Sequence, residues 1–321
     1  MRLIIPVLDM DFKKFIEEWN SPVDYITAET SGSTGNPKQI LLNKEFVKES
    51  ALRTINFFGI NDGSRLHSCV SPEFIGGKMM AVRSILSGCR FTWEDPSNRP
   101  LVGLDRSEEI DLVALVPSQM VYILDNKDGM PKIKNYLVGG SSITERLRLR
   151  IHESGITAYE TYGMTETASH IALRKIEDKI LPFETLPGIE VEKDKRGCLV
   201  IKFNSGEKFV TNDIAEVLSP SNFLIKGRID NVIITGGRKV HPEEVERKLG
   251  ELTAKPLMIK GEPDEKWGEK VVMMIEDTDN EVDDSQLLEK AKNILLPHEV
   301  PKKIYHIEKL PRTPNGKIKR K

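Results

Sequence analysis

The segment Thr30-Ser31-Gly32-Ser33-Thr34-Gly35-Asn36-Pro37-Lys38 gathers two glycines, four hydroxyl side chains and a lysine into nine residues. Glycines lack Cβ and let backbone N–H groups turn toward an anion. The hydroxyls add donors, and the lysine supplies a compact positive charge. Such a loop suits a phosphate. A Gly/Ser loop with no ligand has the same composition, and the common nucleotide spacing GxxxxGK[ST] is absent.

Other chemistry-bearing residues stand further on. They lie in GGSS (139–142), YGMTET (162–167), TNDIAEV (211–217), GRIDNVIITGGRKVHPEEVE (227–246) and PRTPNGKIKR (311–320). Singly each has a plain reading. Lys317 passes as part of a solvated basic tail, Asp213 as a turn acid and Tyr162 as a core ring. No GxSxG elbow and no convincing catalytic cysteine is present, so a protein nucleophile is not expected.

The elements that must position these residues alternate. VDYITAET (23–30) reads as a strand entering the glycine-rich turn, and KQILL as a second short strand leaving it. Asn43 is a good N-cap for an amphipathic helix over 44–58, whose stripe is Val47, Ala51, Thr54, Ile55 and Phe58, with Gly59 ending it. MMAVRSIL (79–86) reads as helix, DLVALVP (111–117) and NYLVGG (135–140) as buried strands, TERLRLRIHESG (144–155) as helix and ITAYETYG (156–163) as strand. This alternation predicts an α/β body with a largely parallel sheet. After about residue 190 come strands without helices: GCLVIKF, EKFVTNDIAEVL and FLIKGR. From Asp230 the pattern becomes a small α+β domain. It starts with the strand and tight turn of DNVIITGG, then a helix over 242–252 with Pro242 in its first turn. The strands KPLMIKG and KVVMMIED and a helix over 285–296 complete it. The boundary falls at 226–230, giving a large domain over 1–228 and a small one over 229–321.

The chain has 321 residues and a formal net charge of -2, which gives no global reason to expect nucleic acid or an anionic membrane. Nothing approaches the roughly 18–20 apolar residues of a membrane span. The start, MRLIIPVLDMDFKKF, lacks a signal peptide's long apolar region. Cys69, Cys89 and Cys198 are far apart in sequence and form no CxxC or Cys/His pair. Neither a disulfide framework nor a zinc site is expected, and a reducing cytoplasm fits. Oligomeric state is not legible.

Taken in order along the chain, TSGSTGNPK (30–38) and the five later motifs resemble the acyl-adenylate-forming superfamily of acyl-CoA synthetases, peptide-synthetase adenylation domains and luciferases. The resemblance covers residues 26–321 nearly throughout. It implies the adenylate-forming fold, with a large α/β domain and a small mobile α+β C-terminal domain. It implies a reaction in which ATP and Mg2+ convert a carboxylic acid to acyl-AMP, and coenzyme A (or a carrier-protein thiol) then takes the acyl group. By resemblance, Thr30, Ser31, Gly32, Ser33, Thr34, Gly35 and Lys38 grip the β- and γ-phosphates. Tyr162 and Gly163 lie against adenine with Gly139, Gly140 and Ser141. Thr165 meets the α-phosphate and Glu166 holds Mg2+, a hard cation suited to oxygen ligands. Asp213 and Arg228 bind the ribose, and Asp230 is the hinge. Lys317 reaches the active site for adenylation. Gly236 and Gly237 line the pantetheine path after the small domain rotates.

Two features depart from the wider pattern. Thr30 stands near the start of the sequence where most members have over a hundred residues before the loop, so the first subdomain is expected to be missing or reduced to residues 1–25. In this, and in SPEFIGGKMMAVRSIL (71–86), LVPSQM (115–120) and YGMTETASHIALR (162–174), the chain resembles the o-succinylbenzoate–CoA ligases of bacterial menaquinone synthesis. Other aryl- or acyl-CoA ligases and carrier-loading enzymes remain alternatives. Phe74 replaces the usual histidine or aromatic gate. Asn212 stands where glycine is common, a substitution that a left-handed turn tolerates. The acyl pocket is expected to involve Phe74, Lys78, Ser169 and His170. A second substrate carboxylate would be met from among Lys78, Arg83, Ser169, His170 and Arg174, although Lys78 and Arg83 could equally be surface charges, and Arg174 could point to solvent.

Overall fold

In the computed structural model, residues 10–30, 38–312 and 318–320 are described below. The chain forms two compact units, Met1–Ile143 with Leu147–Ile189 and Thr144–Arg146 with Glu190–Lys321. The change of sequence texture at 226–230 falls inside the second unit. Among the described residues no helix is long and apolar enough to cross a membrane.

The first unit runs α1 (Met10–Asn20), β1 (Tyr25–Glu29), β2 (Gln39–Asn43), α2 (Lys44–Phe58), β3 (Arg65–Ser68), α3 (Ile75–Ser87), β4 (Arg90–Trp93), β5 (Glu109–Leu115), α4 (Pro117–Asp125), β6 (Lys132–Val138), α5 (Glu145–Glu153), β7 (Ala158–Met164), β8 (Ser169–Lys175) and β9 (Phe183–Thr185). β1 and β2 are an antiparallel pair, Tyr25 opposite Asn43 and Glu29 opposite Gln39. α2 starts where its cap demands. Asn43 Oδ1 accepts from the N–H groups of Glu45 and Phe46, and Gly59 at φ 64° closes the other end. A cap of this kind contributes about 1 kcal/mol.

The sheet of this unit has the order β4-β3-β5-β6-β7-β8-β9. Its strands from β4 to β7 are mutually parallel. Leu112, Val113, Ala114 and Leu115 are all buried, as a strand covered on both faces requires. The expected largely parallel sheet therefore ends at β7. β8 and β9 return antiparallel, because residues 165–169 reverse the chain within one tight turn. α1, α4 and β8 are additions to the sequence reading, although Phe12, Phe15, Ile16 and Trp19 stand at helical spacing in α1 and Phe12, Phe15 and Trp19 are buried.

The second unit holds β10 (Ile189–Lys193), β11 (Cys198–Phe203), β12 (Lys208–Ser219) and β13 (Asn222–Arg228). It continues with β14 (Ile233–Thr235), β15 (Arg238–Val240), α6 (Pro242–Leu249), β16 (Leu257–Asp264), β17 (Gly268–Glu276), α7 (Asp284–Ile294) and β18 (Lys303–Ile307). β14 to β18 enclose a core of their own around Ile233, Val245, Ile259, Val271, Met273 and Leu287. α6 ends at Leu249, three residues before the expected Leu252.

Candidate active site

The glycine-rich segment joins β1 to β2, and its two described ends are paired. Thr30 N–H donates to the Lys38 carbonyl at 2.9 Å, and Lys38 N–H donates to Thr30 Oγ1 at 3.0 Å. Ser31, Gly32, Ser33, Thr34 and Gly35 lie outside the described residues. The turn carrying Thr165 and Glu166 comes to the same place, for Thr165 Oγ1 donates to the Glu29 carbonyl at 3.4 Å. Thus the third motif meets the residue just before the first, although 136 residues separate Glu29 from Thr165. Half-buried Glu166 takes part in no ion pair among the described residues. Its carboxylate and the Thr165 hydroxyl are hard oxygen donors, which fits Mg2+.

The 165–167 turn is a single 3-10 turn clamped by Thr167. Its hydroxyl receives the Met164 N–H at 3.1 Å and donates toward the Ser169 carbonyl at 2.8 Å. Ala168 and Ser169 are then left-handed, at φ 51° and 100°. Non-glycine residues hold that conformation only under constraint. Gly163 must be glycine, since a Cβ there would sit 2.2 Å from the Ser169 carbonyl oxygen on β8. Gly139, after β6, is similarly closed by Thr161 Oγ1, 2.5 Å from a built Cβ. Gly140 is left-handed at φ 89°, and Ser141 follows. The Tyr162 ring lies 5.7 Å from that of Phe183.

Behind this turn is a buried polar group that the sequence only half revealed. Arg83, on α3, is 1% exposed. Its Nη2 lies 3.4 Å from Ser169 Oγ and its Nη1 3.5 Å from Met80 Sδ, while its Nε has no partner. No carboxylate pairs with it among the described residues. Burial lowers the guanidinium to about 9. His170 is buried beside it. Its Nε2 faces Thr54 Oγ1 of α2 at 3.0 Å, and its Nδ1 faces Ser169 Oγ at 3.4 Å. Burial, and then the charge of Arg83, push the imidazole well below its ordinary value, so it stays neutral. Half-buried Phe74 is the residue before α3. Gly77 lets the first turn of α3 close against Ser71, whose carbonyl oxygen would lie 2.3 Å from a Cβ.

Three alternatives that the sequence leaves open narrow here. Arg83 is no surface charge. Lys78 is tied down elsewhere, donating to the Thr27 carbonyl at 2.7 Å, 3.9 Å from Glu18 and over the Phe15 ring. Arg174 does not reach solvent freely. It pairs with Glu160 at 2.6 Å and stacks over Phe183 at 4.3 Å. Thr54 was visible only as part of the α2 stripe, and Ser50 was missed. A polar residue on an apolar helix face was the available signal for both.

In the second unit Asp213 and Arg228 are opposite one another on β12 and β13. Arg228 Nη1 is 3.4 Å from Asp213 and Nη2 2.9 Å from Asp230, and its buried Nε has no partner. Asn212 is not left-handed, contrary to the expectation. It lies within β12, accepts from Arg196 at 3.1 Å and donates to Asp230 at 3.2 Å. The β14–β15 turn needs both glycines, with φ 55° at Gly236 and 75° at Gly237. A Cβ on Gly236 would meet the Trp267 ring at 2.8 Å, whereas one on Gly237 would meet nothing within 4 Å. Lys317 lies outside the described residues. Among the described residues on either side of it, Arg312 and Ile318 form an antiparallel bridge, and Arg320 donates to both oxygens of Glu246 at 2.7 and 2.6 Å.

Comparison with known proteins gives the family and the fold. The 2-succinylbenzoate–CoA ligase of Enterococcus faecalis is 28% identical over 325 residues, covering 90% of this chain and 67% of that one. An acyl-CoA synthetase (AMP-forming)/AMP-acid ligase II-like protein from Dyadobacter fermentans is 30% identical, with 97% and 91% covered and a TM-score of 0.61. The o-succinylbenzoate CoA synthetase of Bacillus subtilis, solved with its acyl-adenylate intermediate, shares the fold at a TM-score of 0.81 and 22% identity, with 92% and 67% covered. Residues 25–198 match the model of the AMP-binding enzymes and residues 258–317 that of their C-terminal domain, so the chain belongs to the AMP-binding enzyme family.

Proposed function

We propose that this chain is a cytoplasmic ligase that activates 2-succinylbenzoate with ATP and transfers the acyl group to coenzyme A. The observation that carries the choice of acid is Arg83. A buried guanidinium without a counter-ion is costly, and an anionic substrate group supplies the missing charge. The ring carboxylate of 2-succinylbenzoate does so, with the Ser169 hydroxyl beside it, while the aliphatic carboxylate stays free to react. Relatives that act on this acid support the same choice.

In the first half-reaction the aliphatic carboxylate attacks the α-phosphorus in line and pyrophosphate leaves. The charge passing among carboxylate, phosphoryl and pyrophosphate oxygens demands positioning and neutralisation rather than a protein nucleophile. The Thr30–Lys38 loop holds the leaving phosphates. Thr165 orients the α-phosphate, and Tyr162 and the backbone around Gly139–Ser141 hold adenine. Glu166 would hold Mg2+, which supplies charge neutralisation when bound. On the second unit Asp213 and Arg228 hold the ribose, and Lys317 contributes its charge in this step only. In the second half-reaction the thiol attacks the acyl carbonyl and AMP leaves. The 229–321 segment turns about Asp230 and brings Gly236 and Gly237 to the pantetheine arm.

A side-by-side assay tests the reading. With Mg2+ and ATP, 2-succinylbenzoate should release pyrophosphate without CoA and yield AMP plus thioester with it. 4-Oxo-4-phenylbutyrate, which lacks the ring carboxylate, should be poorer in kcat/KM by about 10²-fold, the scale of a lost charge-assisted contact. Comparable efficiency for both acids would replace this reading with a general aryl- or acyl-CoA ligase.

A further inference from the structure

A second group of chemistry-bearing side chains, none of them assigned a role above, stands at the C-terminal ends of two neighbouring parallel strands. His67 is on β3, Cys69 follows it by two residues, and Glu94 follows β4. The ligand atoms of all three lie within 4.8 Å of one another. β3 and β4 are in parallel register, with Ser68 opposite Trp93. This corrects the sequence expectation that no cysteine has a histidine partner: the alternation of the strand direction sends His67 and Cys69 the same way.

The arrangement is held on every side. His67 Nδ1 faces Thr92 Oγ1 at 2.8 Å, which leaves Nε2 as the free nitrogen. Nε2 is buried on a residue 1% exposed and has no hydrogen-bond partner. It points at Glu94 Oε2, 3.9 Å away. The other oxygen, Glu94 Oε1, accepts from the Leu101 N–H at 2.8 Å. The Cys69 backbone is pinned as well, its N–H donating to the Ala114 carbonyl at 2.9 Å and its carbonyl accepting from Gln119 at 2.9 Å.

We propose that His67 Nε2, Cys69 Sγ and Glu94 Oε2 form a binding site for a zinc-class divalent cation. An imidazole, a thiolate and a carboxylate are a donor set that a borderline-soft metal takes in tetrahedral geometry. Ligand bonds of about 2.0–2.3 Å need donors a few ångströms apart, which is how these stand. On binding, the thiol releases its proton to solvent. Thiolate and carboxylate then balance the charge of the cation, and the unpartnered Nε2 acquires a partner. Glu94 is 22% exposed in its side chain, which gives a water the fourth position. Thr92 is a positioning residue, since the partner of the second ring nitrogen fixes tautomer and ring orientation. The site would fix Cys69 at the head of the segment leading to Phe74. It stands independently of the choice of acid substrate.

The test uses the full-length wild-type protein, stripped with a chelator and titrated with Co2+ alone. A stoichiometric complex with the intense visible bands of a tetrahedral ion and a thiolate-to-cobalt charge-transfer band is expected, displaced by Zn2+. Cys69→Ser should lose the charge-transfer band, and Thr92→Val should weaken Co2+ binding about 10–100-fold, the usual loss for a removed orienting partner. Circular dichroism establishes that each variant is folded. Failure of the wild type to bind Co2+, binding without the thiolate band, or a band that survives in folded Cys69→Ser would overturn the proposal. The wild-type spectrum decides even if a variant fails to fold.

Discussion

Ser50, on the buried face of α2, donates its hydroxyl to the carbonyl of Ala168 at 2.8 Å, across 118 residues of sequence. Ala168 is left-handed, and Ser169, the first residue of β8, is left-handed too. A helix 3% exposed at Ser50 therefore holds the reversal that presents Thr165, Glu166 and Ser169. Ser50→Ala should leave that carbonyl buried and unpaired. The expected cost is about 1–3 kcal/mol of stability, with a fall in kcat exceeding the change in ATP binding. Chemical denaturation and steady-state kinetics on the same preparation check it. Loss of stability with unchanged kcat would make Ser50 a packing residue only.

Arg83→Gln separates substrate anchoring from folding. Because the guanidinium is buried without a counter-ion, removing its charge should not lower stability. It should lower kcat/KM for 2-succinylbenzoate by about 10²-fold, while leaving 4-oxo-4-phenylbutyrate nearly unchanged. Equal effects on the two acids would place Arg83 outside the acyl pocket.

His170 gives a pH dependence of definite sign. Its folded value lies well below the ordinary 6.5, so below that pH the unfolded chain takes up a proton that the folded chain refuses. The neutral ring's contribution is therefore fully present above 6.5 and is lost as pH falls toward the folded value. The wild type should lose thermal stability from pH 7 to 5 more steeply than His170→Gln. Parallel Tm profiles for the two would contradict the neutral, buried assignment.

Lys317→Ala should cripple adenylation by about 10²–10³-fold, the scale of losing one preorganised charge-stabilising group. Thioester formation from a supplied acyl-adenylate should be largely spared. Single-turnover measurement of both half-reactions is the check, and equal loss in both would deny the lysine a role confined to the first.

Gly237→Leu acts on the other half. There is open space around Gly237 but its φ of 75° resists a side chain, so some loss of stability is expected whatever the function. The informative readout is the ratio of rates. CoA-dependent AMP formation should slow more than CoA-independent pyrophosphate release. Equal slowing would make the turn structural.

Much of the fold was readable because local signals and tertiary structure agree. Asn43 and Gly59 bracket α2 as their chemistry requires, and the run Leu112–Leu115 is buried throughout, as its apolar content demands. The ordered motifs identified the reaction class before any contact was known. What the sequence could not express is which distant residues share a space. Arg83 and Lys78 look alike on one helix, yet one is buried beside Ser169 while the other reaches the Thr27 carbonyl. Their five-residue separation puts them on different sides of α3, and only the packed neighbours decide which side is closed. In sequence Arg174 is open to a substrate carboxylate or to solvent, and in the structure it is committed to Glu160, because β8 turns back antiparallel along β7. His67 and Cys69 acquire Glu94 only when β3 and β4 lie in register. Residue type and spacing determined the chemistry available to this chain. Strand order and helix packing decided which charges were buried, which were paired, and which were left waiting for a ligand.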